Sequence, residues 1–214
     1  HEAGTKQRVI GVSRFSDSQL RGQLESWGLE TVACDLLNPE EVNELPLAKN
    51  VIYLAGFKFG ASQDPGRLWA MNCLAPSLVS LRYRDSRLVA FSTGNVYPTV
   101  PADSGGSLEE DAPDPHGEYA MAALGRERMF QHFSETLNIP MALLRLNYAH
   151  DLRYGVFVDV AQDLLAGKPV DISTAYVNII WLADANAMTL RALEHCQAPL
   201  QVINMTGPET LKVR

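Results

Sequence analysis

The sequence predicts an α/β fold, a doubly wound parallel sheet covered by helices. Two observations point there. Short runs rich in β-branched and aromatic residues alternate with longer amphipathic runs along most of the chain, the signature of successive β-α-β units. One short run, NVIYLAG (Asn50 to Gly56), shows no polar alternation, as expected of a strand covered on both faces.

The elements follow in order. RVIGVSR (Arg8 to Arg14) reads as a buried-type strand. SDSQLRGQLESWG then reads as a helix, with Ser16 or Asp17 as N-cap and Gly28 as C-cap. LETVACD (Leu29 to Asp35) is the next strand, and NPEEVNELPL a short helix whose opening acids suit its dipole. A long helix is expected from about Asp64 to Arg84, then strand RLVAFST (Arg87 to Thr93), a helix from Gly117, and strand PMALLRL (Pro140 to Leu146). Helix GVFVDVAQDLLAG, strand AYVNII, helix LADANAMTLRALEH and strand QVINMTG complete the series. Pro98 to His116, rich in Pro, Gly and acids, is the one long irregular stretch, a length that often marks a functional or mobile loop.

Composition narrows the partners. The 214 residues carry a net charge of −7 and no basic run interleaved with aromatics, which argues against nucleic acid. No apolar run reaches the roughly 20 residues of a membrane span, and no signal peptide is visible. Three widely spaced cysteines, Cys34, Cys73 and Cys196, indicate a reducing, cytoplasmic compartment and no disulfide framework. The five histidines form no ligand pair at metal spacing, so no metal is expected.

In doubly wound sheets, ligands sit outside the carboxyl ends of the strands. The residues there are Ser13 and Arg14, Asp35 and Leu36, Ala55 to Lys58, Ser92 to Tyr97, and Asn147 and Tyr148. Among them, FSTGNVY, followed further along by GEYAMAALGRE, resembles the extended short-chain dehydrogenase/reductase family. Its nucleotide-sugar epimerases and dehydratases, of the UDP-galactose 4-epimerase kind, are nearest in pattern. In that family a strand ends in Ser/Thr three residues before Val-Tyr, and a Tyr-x-x-x-Lys helix follows. Here Thr93 stands before Val96-Tyr97, Tyr119 opens the helix, and Glu127 supplies the family's acid eight residues on. That register puts Ala123 where the lysine belongs. VIYLAGFK, with Lys58, is similar to the nicotinamide-side strand, Asn72 to the family's helix asparagine, and CDLLNPEEV to the segment beside the adenine. NIPMALLRLNYA resembles the strand after the catalytic helix, and VINMTGPETLKVR a late strand.

The resemblance implies a Rossmann-like dinucleotide-binding domain over residues 1–150 and a small, incomplete substrate lobe over 151–214, with elements returning to the core. It implies an NAD(P)-dependent epimerase, dehydratase or reductase acting on a sugar-like hydroxyl or carbonyl. A dinucleotide-binding sensor or regulatory protein with decayed chemistry is the alternative. The family's Gly-rich loop is not found, and HEAGTKQRVIGVSR reads like the tail of the first helix entering the second strand. The first strand and phosphate loop are therefore expected to lie outside this chain.

Tyr119 and Thr93 are the expected proton-handling pair. Ser13, Arg14, Asp35, Leu36, Leu54, Ala55, Gly56, Lys58, Asn72, Ser92, Tyr119 and Asn147 are the expected cofactor contacts. Thr93, Asn95 and Lys58 are the expected substrate contacts. Ser13-Arg14 leans toward NADP, because an arginine there can accommodate a 2′-phosphate. Each residue also has a plainer role. Thr93 could cap a turn, Asp35 could cap NPEEV, and Arg14 could be a surface charge. A free tyrosine has a pKa of about 10, so Tyr119 without a neighbouring cation is mostly neutral near neutral pH. Arg126 or Lys58 could supply that cation. For Arg126 the expectation is a solvated helix charge. A small-molecule substrate is the expected partner, and a homodimer is left open.

Overall fold

The computed structural model describes residues 7–57, 63–170 and 176–212. Its elements follow the expected alternation. Strand β1 (Ile10–Ser13) leads to helix α1 (Ser18–Ser26), β2 (Glu30–Ala33), α2 (Pro39–Asn43) and β3 (Asn50–Tyr53). Next comes one long helical body, made of α3 (Pro65–Trp69), a π-helical turn (Ala70–Leu74) and α4 (Ala75–Arg82). Strand β4 (Arg87–Thr93) ends in a 3-10 turn (Gly94–Val96), and α5 (Gly117–Leu137) and β5 (Met141–Leu146) follow. The last part holds β6 (Tyr148–His150), α6 (Val156–Leu165), β7 (Tyr176–Trp181), α7 (Leu182–Ala192), β8 (Gln201–Met205) and β9 (Thr210–Lys212).

The main sheet has the order β3-β4-β5-β8, with every neighbouring pair parallel. Strands β1 and β2 form a separate parallel pair. Side-chain packing rather than a hydrogen-bonded ladder links that pair to the rest. Cys34, Val42 and Leu45 share an apolar cluster with Tyr53, Val79, Leu88 and Phe130. A third small sheet joins β6 to β7 in parallel and β7 to β9 in antiparallel fashion. No helix of the described residues is long and apolar enough to cross a membrane.

Several expectations are corrected here. The first strand is not buried: Val9 and Val12 are 42% and 37% exposed, because among the described residues β1 pairs with β2 alone. Of the two caps offered for α1, Ser16 or Asp17, the structure uses Asp17, which accepts from the Gln19 and Leu20 amides, as expected. Asn38, not Asp35, caps α2, and its side chain accepts from Glu40 and Glu41. Asp35 instead closes a turn, accepting from the Leu37 amide at 3.0 Å. β3 stops at Tyr53, so Leu54 to Gly56 lie just beyond it. Strand β9 was not legible because its partner β7 lies far away in the chain.

The π turn has a local cause. Asn72 lies within it and donates from Nδ2 to the Leu68 carbonyl at 2.9 Å, a side-chain insertion into the helical ladder. Such turns recur at functional sites.

Candidate active site

Helix α5 lies across β4 and the Gly94–Val96 turn and packs against the π turn. Its close approach to the neighbouring helix depends on Gly125. A Cβ there would lie 2.7 Å from Cys73 Sγ and 3.0 Å from the Trp69 ring. Above this contact, the Trp69 indole donates to Glu118 Oε2 at 2.9 Å. Tyr119, in the first turn of α5, is half-buried and packs with Phe57 against Leu68 and Ala122. Ala123, one turn on, is fully buried. Thr93 ends β4, and its hydroxyl accepts from the Asn95 amide at 3.2 Å, so the plainer turn-capping role is present.

Arg126 departs from the solvated charge that helix spacing alone suggests. It is only 6% exposed. Its Nη1 donates to the Ala55 carbonyl at 3.2 Å, just past the end of β3. Gly56 makes room for it, since a Cβ there would sit 2.6 Å from Nη1 and 3.7 Å from Asn72 Oδ1. Arg126 Nε and Asn72 Oδ1 are both buried without a hydrogen-bond partner among the described residues. Burial pushes the Arg126 pKa down, while Tyr119, then Tyr53, Glu127 and Cys73, favour its charge. The effect is mutual at two of these groups. Burial raises the Tyr53 phenol and the Cys73 thiol, and Arg126 pulls both back.

A second buried cluster holds α5 to the sheet. Glu127 and Arg145 side chains are each 4% exposed and paired at 2.8 Å. The pair is bidentate, with Arg145 Nε reaching the other carboxylate oxygen at 3.1 Å. Ser92 donates its hydroxyl to the same carboxylate, so that hydroxyl is engaged within the protein. Arg145 Nη1 also donates to the Tyr97 hydroxyl at 2.6 Å and to the Glu109 carbonyl at 3.3 Å. The Tyr97 hydroxyl donates to Asn204 Oδ1 at 2.9 Å. Asn204 ties down the irregular loop, its amide donating to Glu109 Oε1 at 2.7 Å and its Nδ2 to the Ser107 carbonyl at 3.0 Å. Sequence reasoning missed Arg145, and it picked out Tyr97 in the strand-end motif without giving it a role. The available signal was an arginine inside the apolar run MALLRL, facing a helix that carries Glu127.

The other expected residues scatter along the strand ends. Arg14 and Ser13 are exposed at the end of β1, and Asp35 and Leu36 lie half-buried after β2. Leu54 is 67% exposed. Asn147 lies over Gly94, where an added Cβ would collide with its Oδ1. Asn95 is exposed, and Lys58 lies outside the described residues. Two recesses, of about 540 and 580 Å³, lie against β2–α2 and against β8–α7, and neither is lined by Tyr119 or Thr93. Among the described residues no cluster of His, Cys, Asp and Glu could hold a metal ion.

The sequence pattern of the NAD dependent epimerase/dehydratase family matches residues 1–204. The chain belongs to this family. No curated protein matches it. Solved structures of similar fold include UDP-glucuronic acid 4-epimerase from Bacillus cereus, determined with UDP-glucuronic acid and NAD. It is 19% identical with a TM-score of 0.79, and the match covers 99% of this chain and 73% of that one. UDP-glucose 4-epimerase from Thermotoga maritima, determined with UDP-glucose, is 17% identical with a TM-score of 0.82, covering 99% and 72%. RMD from Pseudomonas aeruginosa, complexed with NADPH, is 22% identical with a TM-score of 0.73, covering 97% and 81%. At these identities the likeness shows the fold, a Rossmann-type α/β arrangement with parallel sheets. As an epimerase/dehydratase family member the chain is placed among enzymes, and the neighbours' ligands include both NAD and NADPH.

Proposed function

We propose that this chain is an NAD(P)-dependent epimerase, dehydratase or reductase acting on a sugar-like hydroxyl or carbonyl. One observation carries the reading: Tyr119 stands in the first turn of the helix that crosses the end of β4, beside a buried cation at the end of β3. The residues present fit a dinucleotide along these strand ends. Gly56 leaves its α-carbon bare, Arg126 Nε and Asn72 Oδ1 await partners, and Ser13-Arg14 and Asp35 border the adenosine side. When bound, the dinucleotide supplies the hydride chemistry. Tyr119 moves the proton of the reacting hydroxyl, and Thr93 orients that oxygen. Asn95 and Lys58 are assigned to substrate, and the elements after residue 150 to its lobe. Arg14, an exposed cation at the end of β1, suits a 2′-phosphate and hence NADP.

The test is conversion of nucleotide sugars by the full chain with NAD(P), read by separating substrate from product. Epimerisation and dehydration return the hydride and leave no net change in reduced nicotinamide, whereas net reduction is read by nicotinamide absorbance. Tyr119→Phe should cut the rate by roughly 10² to 10⁴-fold, the range for a placed proton-transfer group. A second reading, a dinucleotide-binding sensor with decayed chemistry, is favoured by Ala123, a buried methyl where the family carries lysine. Under that reading Tyr119→Phe leaves dinucleotide binding intact and there is no turnover to lose. Ala123→Lys gains no activity under it either.

A further inference from the structure

The recess beside β8 lies apart from the strand-end site. It follows β8, an outer strand of the main sheet, and holds about 580 Å³. Small-molecule sites span about 300–1,000 Å³ and are mostly apolar, with a few placed polar groups. One wall here is a single helical face. Met188, Arg191, Ala192 and His195 line it from α7 and the 3-10 turn that follows, Leu193–His195. Their spacing of i, i+3, i+4 and i+7 puts them on one side. The floor is the flank of the buried cluster of Leu144, Ala192 and Met205, with Ile203 packed against it. Glu109 stands beside Asn204, its Oε1 already accepting from the Asn204 amide at 2.7 Å.

The polar groups decide the ligand. Arg191 and His195 are exposed, and among the described residues neither has a carboxylate within ion-pair distance. The helix dipole favours cations at this end of α7. It does not account for an apolar floor left open beside them. An arginine stem lies along apolar surface while its head stays in water, so the wall offers apolar contact below and positive charge at the rim. Met188, 46% exposed, adds a side chain that adapts to irregular shapes. A ligand that uses all of this has an apolar body and one anionic end. We propose that this recess is a second ligand site, which takes a small amphipathic carboxylate. Its chain lies over Leu144, Ile203 and Met205, and its carboxylate meets Arg191 and His195. The cations sit near the start of the sheet strands. Next to them Arg87 Nη1 donates to the Leu193 carbonyl at 3.5 Å, and Cys196 Sγ to the Leu88 carbonyl at 3.6 Å. Thr93 is at the other end of β4. The inference therefore does not depend on the dinucleotide reading.

The experiment titrates the full chain with sodium decanoate, below the concentration at which it forms micelles, and follows isotope-labelled methionine methyls by NMR. Of the six methionines, Met188 and Met205 line the recess, and Met71, Met121, Met129 and Met141 do not. Decanoate should shift the first two and leave the other four in place. Decanol, of the same length without the charge, should bind about tenfold more weakly, the order of one lost charge-assisted hydrogen bond. Arg191→Met should bring decanoate close to the decanol level and leave decanol unchanged. Arg191 is exposed, so this exchange spares the core. Unmoved Met188 and Met205 methyls overturn the proposal. So does an equal shift at Met121, exposed on α5, which would mark general adsorption on apolar surface. Equal decanoate affinity in Arg191→Met and wild type overturns the carboxylate assignment. Added NAD(P) should leave the decanoate shifts unchanged, and displacement by it would overturn the separateness of the site.

Discussion

Glu127→Ala should be among the most damaging single substitutions in this protein. It removes both oxygens that Arg145 grips at 2.8 and 3.1 Å, and it strands the Ser92 hydroxyl. Both partners are 4% exposed, so water cannot take over. Breaking a buried pair by deleting one member costs about 3–5 kcal/mol. For a chain of this size each kcal/mol is worth about 2–4 °C, so the melting temperature should fall by roughly 6–20 °C. The damage should also spread, because Arg145 supports Tyr97 and the Glu109 carbonyl. The assay is urea unfolding followed by circular dichroism. A companion triple variant, Ser92→Ala with Glu127→Met and Arg145→Met, removes the charges and the stranded hydroxyl together. Tyr97 retains Asn204 as partner in it. The triple should be more stable than Glu127→Ala alone, since replacing a buried pair with apolar groups is often neutral. A loss below about 1 kcal/mol in the single variant, of the order expected for an exposed pair, refutes the reasoning. So does a triple variant weaker than the single.

Three further outcomes are expected. Gly94→Ala should destabilise by about 1–3 kcal/mol through overpacking against Asn147, and Asn147→Ala should restore much of it in the same unfolding assay. Failure of that rescue would place the cost elsewhere. The Asp151 carboxyl is held below the usual range by the Arg153 amide and guanidinium, then by the Tyr154 amide. Its folded state therefore binds a proton less readily than the unfolded chain. The stability it contributes is present above the ordinary carboxylate range and is lost as pH falls through the depressed folded value. The gap between wild type and Asp151→Asn should accordingly close on acidification, and a gap independent of pH contradicts this. Burial pushes up all three thiols, Cys34, Cys73 and Cys196. Iodoacetamide should label the native protein slowly at neutral pH and faster as pH rises, and labelling at the rate of free cysteine would count against it.

The alternation of elements was legible because each strand and helix carries its own period. β4 runs from Arg87 to Thr93, as RLVAFST predicts. What failed depends on partners distant in the chain. Arg126 resembles any helix arginine until Gly56, seventy residues earlier, is seen to leave it a berth. Val12 reads as core, yet among the described residues its strand has a single hydrogen-bonded neighbour. Asp35 and Asn38 are both good caps by composition, and only the backbone geometry chooses between them. Tyr119 and Thr93 were picked out by their resemblance to the family's motif. The Glu127–Arg145–Tyr97–Asn204 chain was not, because no local pattern joins a helix, two strands and a loop.

The π turn between α3 and α4 makes the number of residues in that helix a determinant in its own right. Before it, Leu68 packs beneath Phe57 and Tyr119. After it, Val79 and Tyr83 enter the main apolar cluster. The widened turn sets the phase between these two contacts, with Asn72 at the join. Deleting one residue would let the α-helix run through, turning everything beyond by about 100°. The chain would then have to give up either the carboxamide beside Gly56 or the seating of Val79 and Tyr83. An insertion or deletion here would uncouple the strand end from the core with no change in amino-acid character.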